Sequence, residues 1–162
     1  CAVCVVEGTR PIVAEIQALA TNTVFPAPRR TSNGIDYNRA ALILAVLEKR
    51  LGLRFSSVDV YLNVIGGIRI DETASDVGVA LALISSVRDI PVPDELLCIG
   101  ELGLSGEIRA VSHIESRVSE AARLGFTKIV LPSRSAKSVR KVPENVSLIP
   151  IKSIFDILPL LK

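Results

Sequence analysis

The sequence predicts a mixed α/β fold in which helices pack on an incompletely parallel sheet. Three observations lead to this prediction. Apolar segments of strand-like character alternate along the chain with segments of helical periodicity. The 162 residues are 49% hydrophobic, which is enough to bury one full core. Tryptophan and methionine are absent and aromatics are scarce, so we expect aliphatic side chains to fill that core.

The N-terminal third is predicted to contain a hairpin, a loop and a long helix. Ala2–Glu7 and Pro11–Thr21 are typical of two strands joined by a tight turn. Phe25–Gly34, with two prolines and an Asn-Gly pair, is predicted as a loop. Asp36 is expected to cap a strongly periodic helix that ends at about Leu51, just before a glycine.

The middle of the chain is predicted to form a strand, an apolar helix and a second hairpin. Val58–Ile65 alternates as a strand, and Thr73–Val87 is expected to be the helix. The segment from Thr73 to Asp76 has the pattern of a capping box at the start of that helix. Leu96–Glu101 and Glu107–Val111 are predicted to pair as the hairpin.

The last third is predicted to alternate helices with short strands. Ile114–Leu124 has helical periodicity and is followed by a glycine, and Lys128–Leu131 is a short apolar run. Ser135–Lys141 is predicted as a short helix, Val146–Pro150 as a strand and Ser153–Leu161 as the final helix. No internal repeat or low-complexity segment interrupts this order, so we expect one domain over residues 1–162.

The charge is nearly balanced overall but unevenly distributed. The net charge is +2. Residues 10–54 carry seven basic and three acidic side chains, residues 55–132 carry six and eleven, and residues 133–162 carry six and two. Two basic segments therefore flank an acidic one, which is suggestive of nucleic acid, although solvated surface charge is the commoner cause.

The three cysteines suit a reducing compartment, and no apolar run reaches the roughly 20 residues that span a bilayer. Cys1 and Cys4 have the spacing of a CxxC motif, but no second pair completes a zinc site. In a strand, two residues three apart point to opposite faces. We therefore expect no metal and no membrane partner for this chain.

Two segments carry a family resemblance. Residues 66–83, GGIRIDETASDVGVALAL, and residues 100–111, GELGLSGEIRAV, are followed by SHIESRVSEAA at residues 112–122. Together they resemble the proteolytic domain of the Lon protease family, in which a serine at the start of a helix is activated by a lysine on another helix. The resemblance places Asp76 at the serine position and Arg117 at the lysine position.

Those two residues cannot reproduce the chemistry of a Ser-Lys dyad. The dyad needs a hydroxyl nucleophile and a lysine that is neutral near working pH, whereas arginine stays protonated and aspartate attacks amides poorly. We therefore predict a catalytically inactive domain in which Asp76 and Arg117 lie near each other as an ion pair. A one-residue shift in the register would instead place Ser75 at the serine position, which leaves an active serine peptidase as the alternative.

The PRRTSNGIDYNR segment, residues 28–39, narrows the resemblance. It is similar to the C-terminal Lon-like domain of the RadA (Sms) family of bacterial DNA repair and recombination factors, which has relatives in plant organelles. The resemblance implies a zinc finger and a RecA-like ATPase, with zinc, ATP and magnesium, in a preceding part of a longer protein. It also implies a DNA-dependent ATPase that acts in branch migration as a homo-hexameric ring, a RecA-type recombinase as a possible partner, and a cytoplasmic location. This chain itself contains no GxxxxGK[ST] phosphate loop.

We expect sequence-independent DNA binding through two basic clusters. Planar guanidinium groups suit phosphate contacts, and two lysines four residues apart would share a helix face. The alternative for the first cluster is a set of ion pairs between subunits of a ring, and a third reading of the domain is a docking module for protein partners. The candidate DNA-binding residues are Arg29, Arg30 and Arg39, with Arg134, Lys137, Arg140 and Lys141 as a second contact.

Overall fold

The computed structural model describes residues 1–161 and arranges their strands in two sheets. Seven strands form one mixed sheet, and two short strands form a separate hairpin. In chain order the strands are β1 (Ala2–Glu7), β2 (Arg10–Asn22), β3 (Arg30–Asn33), β4 (Val58–Val64), β5 (Leu96–Cys98), β6 (Glu101–Leu102), β7 (Ile108–Arg109), β8 (Lys128–Pro132) and β9 (Ser147–Ile151).

The large sheet has the strand order β3-β4-β2-β1-β5-β8-β9. β1 pairs antiparallel with β2, and β2 pairs antiparallel with β4. On the other side β1, β5, β8 and β9 run parallel, and at the far edge β3 runs parallel to β4. The predicted mixed α/β fold with an incompletely parallel sheet is therefore confirmed.

The helices begin and end close to where the sequence predicts them, with one exception near the C-terminus. The Asp36 carboxylate accepts a hydrogen bond from the Arg39 backbone N–H at 3.0 Å, and Gly52 ends the first helix in the left-handed conformation at φ 69°. The α-helices are α1 (Tyr37–Leu51), α2 (Asp76–Arg88), α3 (Ile114–Arg123) and α4 (Ser133–Ala136), and Ile65–Gly67, Thr73–Ser75 and Ile154–Leu160 are 3-10 helices.

Helices cover both faces of the large sheet. Successive side chains of β1 point alternately into the two hydrophobic clusters that these helices form with the sheet. Val3 and Val5 are buried in the larger hydrophobic cluster, which contains α1 and α2. Cys4, between them, is buried in a second cluster with Val118 of α3. Because successive strand residues point to opposite faces, one strand supplies both clusters. Among the described residues the buried hydrophobic side chains are aliphatic apart from Phe55, Cys4 and Cys98, in agreement with the scarcity of aromatics in the composition.

The prediction of a loop over Phe25–Gly34 is wrong for its second half. Arg30–Asn33 is strand β3, which pairs in parallel register with residues 60–63 of β4 at the edge of the sheet. Two prolines and an Asn-Gly pair dominate the local pattern, and four residues are too few to show an alternation. Only the long-range pairing with β4 makes this segment a strand.

The prediction of a helix over Ser135–Lys141 is also wrong. Helix α4 ends at Ala136, so Lys137 and Lys141 do not share a helix face. Tertiary contacts hold the following segment: Val139 packs into the cluster of α3, and the Arg140 backbone N–H donates to the Glu115 carboxylate at 2.7 Å. The predicted hairpin at residues 96–111 is shorter than expected, because β5 joins the large sheet and only β6 and β7 pair.

Candidate functional site

The start of α2 is held close to β1 by a glycine. A Cβ atom built on Gly78 would lie 2.1 Å from Cγ1 of Val3, so no larger residue fits without movement of the strand or the helix. The helix start is also tied to the segment after β5. The Gly100 N–H donates to the Ala74 carbonyl at 2.8 Å, and the Val77 N–H donates to the Gly100 carbonyl at 3.2 Å.

Asp76, the first residue of α2, forms a buried ion pair with Arg39 of α1. The Asp76 side chain is 1% exposed, and its carboxylate is bound by the Arg39 guanidinium through both Oδ1 and Oδ2. The Leu102 N–H donates to Asp76 Oδ2 at 2.9 Å, and Arg39 Nη2 donates to the Leu102 carbonyl at 3.1 Å. The pair therefore links α1, α2 and β6.

Arg117 of α3, which is 1% exposed, pairs with Glu72 in the segment that leads into α2. Its Nη1 donates to the Glu72 carboxylate and, at 2.9 Å, to the Cys4 carbonyl of β1. Its Nε donates to the Ser112 carbonyl at 2.8 Å. The guanidinium thus connects α3, β1 and the start of α2, and its charge is balanced by Glu72.

The predicted ion pair between Asp76 and Arg117 is therefore wrong. Among the described residues no salt bridge joins them, and each charge is satisfied by another partner, Arg39 in one case and Glu72 in the other. The sequence pattern aligned two positions with a known dyad, but it could not show which other charged residues the fold brings to them. Glu72 lies four residues before Asp76, and Arg39 ends the PRRTSNGIDYNR segment.

The capping box predicted at Thr73 is wrong as well. Residues 73–75 form a 3-10 turn, and the Thr73 hydroxyl donates to the Glu101 carboxylate at 2.6 Å. The hydroxyl of Ser75, the alternative nucleophile, donates to the Glu72 carbonyl at 2.9 Å, and Ser75 is 4% exposed. Asp76 contributes its negative charge to the first turn of α2 instead of capping it.

Burial and charge perturb the pKa values around this site. Burial raises the pKa of the Asp76 carboxyl, while the hydrogen bonds from Arg39 and from the Leu102 N–H act in the opposite direction. The hydrogen bond to Asp76 raises the pKa of Arg39, which therefore stays charged. Burial raises the pKa of the Cys4 thiol to about 11, although the nearby Arg117 charge opposes this shift.

The three arginines of the first basic cluster have different environments. Arg29 is exposed and its guanidinium lies 3.7 Å from the centre of the Phe25 ring, a cation–π contact. Arg30 is half-buried, and its guanidinium donates to the carbonyls of Val58 at 2.5 Å and Phe55 at 2.7 Å. Since Arg39 is paired with Asp76, Arg29 has the most accessible guanidinium of the three.

The backbone around Arg29 is fixed by a buried carboxylate. The Arg29 N–H donates to Asp59 Oδ1 at 2.7 Å, and Asp59 is 5% exposed. This hydrogen bond is the main reason why the pKa of Asp59 lies below its usual value. The loop is therefore anchored to β4, and its exposed arginine is presented from a defined position.

The second basic cluster is divided between a cleft and the segment beyond it. Arg134 and Lys137 line a cleft of about 960 Å³, whereas Arg140 and Lys141 are exposed on the segment that follows. Arg109 and Lys152 also line the cleft, and the sequence analysis missed both because they lie in distant segments. The only signal was the general surplus of basic residues near the C-terminus.

The two cysteines of the CxxC motif lie in different clusters. Cys1 packs against the cluster of α1 and α2, and Cys4 is buried in the cluster of α3, so the opposite-face prediction is confirmed. Over residues 1–161 the structure groups no three potential metal ligands of the His, Cys, Asp or Glu type. Along the same residues, each helix is too short or too polar to cross a membrane.

Proteins named DNA repair protein RadA are similar to this chain over nearly its whole length. The match to the protein from Streptococcus pneumoniae is 49% identical over 152 residues, which is 94% of this chain and 36% of that protein. The protein from Listeria monocytogenes is 47% identical over 94% of the chain and 33% of its own length, and one from Streptococcus pyogenes is 45% identical with the same coverage. The chain spans about a third of the curated relatives it matches.

A family-level match covers most of the chain, including Asp76 and the Glu72–Arg117 pair but not Arg39. The model of the Lon protease (S16) C-terminal proteolytic domain matches residues 41–160, which is most of the chain. The resemblance to a RadA-type, Lon-like domain that the sequence motifs predict is thus confirmed. The chain belongs to the Lon protease (S16) C-terminal proteolytic domain family.

Proposed function

We propose that this chain is a non-catalytic Lon-like scaffold domain of a RadA-type, ATP-dependent DNA repair and recombination protein. In this role it supports assembly of a hexameric ring and contributes basic surface to DNA binding. The similarity to DNA repair proteins RadA over 94% of the chain supports a role in DNA repair. The inactive scaffold role is supported by the geometry of the two dyad positions.

One observation carries the scaffold proposal: both dyad positions are occupied by charges held in ion pairs. Asp76 is bound by Arg39, and Arg117 is bound by Glu72, with each dyad residue 1% exposed. A buried arginine that is paired with a carboxylate cannot accept a proton from a nucleophile. The charges instead tie α1 and α3 to the start of α2, which is a structural use of the former catalytic positions.

A peptidase assay on unfolded casein tests this proposal against the active alternative. We expect no turnover, because the Ser75 hydroxyl already donates to the Glu72 carbonyl and Ser75 is buried. A catalytically competent Lon protease serves as the positive control. Turnover that disappears in Ser75→Ala would overturn the scaffold proposal and establish a serine peptidase.

The DNA-binding part of the proposal starts from Arg29. Its guanidinium is exposed beside Phe25, where it can contact phosphate without breaking an internal hydrogen bond. Arg30 and Arg39 are engaged in the fold, so their loss is expected to act on stability before it acts on DNA. Contacts to phosphate alone are sequence-independent and weaken steeply with salt.

Separate Arg29→Ala and Arg30→Ala variants distinguish a DNA role from a structural one. We expect Arg29→Ala to weaken DNA binding and flatten its salt dependence while the melting temperature stays unchanged. Arg30→Ala should lower the melting temperature. Unchanged DNA affinity and salt slope in Arg29→Ala, Arg134→Ala and Arg140→Ala/Lys141→Ala would remove DNA from the proposal. Loss of oligomers in Arg29→Ala would instead favour ion pairs between subunits.

The assembly part of the proposal predicts self-association through two different faces, because a ring is closed by heterologous contacts. Large apolar side chains exposed on the surface, Leu42 and Leu104 among them, are available for such contacts. We expect concentration-dependent association in ultracentrifugation. A monomer at all concentrations would show that this domain does not drive assembly.

The remaining functions are proposed for the longer protein. By the resemblance to the RadA family, ATP and magnesium belong to a RecA-like ATPase, and zinc belongs to a zinc finger. A RecA-type recombinase is the proposed protein partner, and the bacterial cytoplasm is the proposed location, with a plant organelle as the alternative. Copurification of the recombinase with the full-length protein, but not with one from which this domain is deleted, would assign that contact to this domain.

A further inference from the structure

A basic cleft is built from three separate elements. It has a volume of about 960 Å³ and lies between β7, α4 and the end of β9. Its lining includes the apolar residues Ile108, Ala136 and Ile151. Four basic residues also line it, namely Arg109, Arg134, Lys137 and Lys152.

These four charges have little internal compensation. In the described residues, Arg134, Lys137 and Lys152 form no salt bridge, and Arg109 only approaches Glu101, with 3.8 Å between Nε and Oε1. One carboxylate lines the cleft, that of Glu107. The Glu107 carboxylate lies against Gly103: a Cβ atom built on that glycine would be 1.4 Å from Glu107 Oε1. Among the described residues, Glu107 makes no salt bridge to the four basic residues.

We propose that this cleft binds a multiply charged phosphate, such as a diphosphate or the terminal phosphate of a nucleotide or a nucleic acid. Uncompensated like charges around one concave space repel one another, so an anion that enters the space relieves this repulsion. Arginine donates to phosphate in a planar, bidentate manner, and lysine contributes a mobile point charge. The cleft thus combines both kinds of phosphate-binding side chain.

The shape of the site favours a multiply charged group over the phosphodiester backbone. Each phosphodiester carries a single negative charge, and successive phosphodiesters are spread along a nucleic-acid strand. A surface that binds this backbone therefore carries its basic side chains in a stripe. Here the four basic residues line one cavity and come from β7, from α4 with the residue after it, and from the residue after β9. This inference shares Arg134 and Lys137 with the proposed DNA surface but does not require DNA binding.

Isothermal titration calorimetry with inorganic pyrophosphate at constant ionic strength tests the site. We expect saturable binding, which Arg134→Gln/Lys137→Gln weakens at least about tenfold, since bonds to charged groups are among the stronger ones. Arg54→Gln/Arg88→Gln is the matched control. It removes two positive charges from exposed residues that lie outside the cleft and outside every described salt bridge, and it should bind as the unmodified chain does.

Two further arms separate the sources of the phosphate and exclude a folding defect. A 5′-phosphorylated oligonucleotide that competes with pyrophosphate, while its unphosphorylated form does not, would identify a terminal phosphate of nucleic acid. Competition by free nucleoside diphosphate alone would identify a free nucleotide. Lys152→Gln, on a different segment, must also weaken pyrophosphate binding, with an unchanged circular dichroism spectrum.

The proposal is overturned if pyrophosphate does not bind, or if the cleft variant and the control lose affinity equally. It is also overturned if the unphosphorylated oligonucleotide depends on the cleft residues while pyrophosphate does not bind there. Failure of the DNA proposal is seen separately, because it also requires unchanged DNA binding in Arg29→Ala and in Arg140→Ala/Lys141→Ala, whose residues lie outside the cleft.

Discussion

The guanidinium of Arg39 and the carboxylate of Asp76 face each other in a two-point ion pair at the start of α2. Asp76 is almost fully buried, whereas the Arg39 side chain is 26% exposed. The carboxylate also accepts the Leu102 N–H, so its charge is compensated from both α1 and β6. Asp76, which the resemblance places at the serine position of Lon-type peptidases, thus joins three elements of this fold.

We expect Arg39→Ala to destabilise the fold by about 3 kcal/mol, because it leaves the buried Asp76 charge without its partner. Urea unfolding followed by circular dichroism measures the change. Arg69→Ala is the matched control: the Arg69–Asp71 pair is 74% and 75% exposed, and its loss should cost less than about 1 kcal/mol. Equal effects in the two variants would show that the Arg39–Asp76 pair contributes no more than a surface pair.

We expect Asp76→Ser to produce no reactive serine. An arginine side chain does not serve as a proton acceptor, and the Arg117 guanidinium is bound to Glu72, so no base is available where the resemblance expects a lysine. The measurement is labelling by a fluorophosphonate probe, with a serine protease as the positive control and circular dichroism as the check on folding. Labelling of a folded Asp76→Ser protein at residue 76 would contradict this prediction.

We expect Gly78→Ala to destabilise the protein by about 1–3 kcal/mol, because its new methyl group would lie 2.1 Å from Cγ1 of Val3. On an exposed helix the same change would instead stabilise by up to about 1 kcal/mol. A double-mutant cycle with Val3→Ala checks the cause. Removal of the valine methyl groups should recover part of the loss, and simple additivity of the two changes would exclude the clash.

We expect the thiols of Cys4 and Cys98 to resist labelling at neutral pH and to make the fold sensitive to alkali. Burial raises the pKa of Cys4 to about 11 and that of Cys98 to about 12, from an ordinary value of 9.0. The unfolded thiols ionise first, so their contribution to stability is complete below about pH 9 and is lost as pH rises towards the folded values.

Ellman's reagent and denaturant unfolding as a function of pH measure both consequences of these buried thiols. At neutral pH the two thiols should react only after unfolding. The loss of stability from pH 9 to 11 should be smaller in Cys4→Ala/Cys98→Ala than in the unmodified protein. Rapid reaction of Cys98 in the folded protein would contradict its complete burial.

Local sequence signals placed most of the elements of this fold. The α1 helix has its predicted capping aspartate and its predicted glycine stop, and the first hairpin has nearly the predicted bounds. These features depend on neighbouring residues, so a pattern of ten or fifteen residues contains them. Two short elements were predicted wrongly: β3 depends on its partner β4, and α4 ends at Ala136, before the segment whose Arg140 N–H donates to Glu115.

The sequence by itself determined the chemical types of the residues that the resemblance aligns with the dyad, namely Asp76, or Ser75 if the register shifts by one residue, and Arg117. Because side-chain type is read directly from the sequence, no fold was needed to see that an arginine stands where the resemblance expects a lysine. Only the tertiary structure decided which charges meet them, because Arg39 and Glu72 come from different elements of the fold. The same reason applies to the basic cleft, whose four charges lie up to 43 residues apart, between Arg109 and Lys152, and converge only when the sheet and the hairpin are assembled.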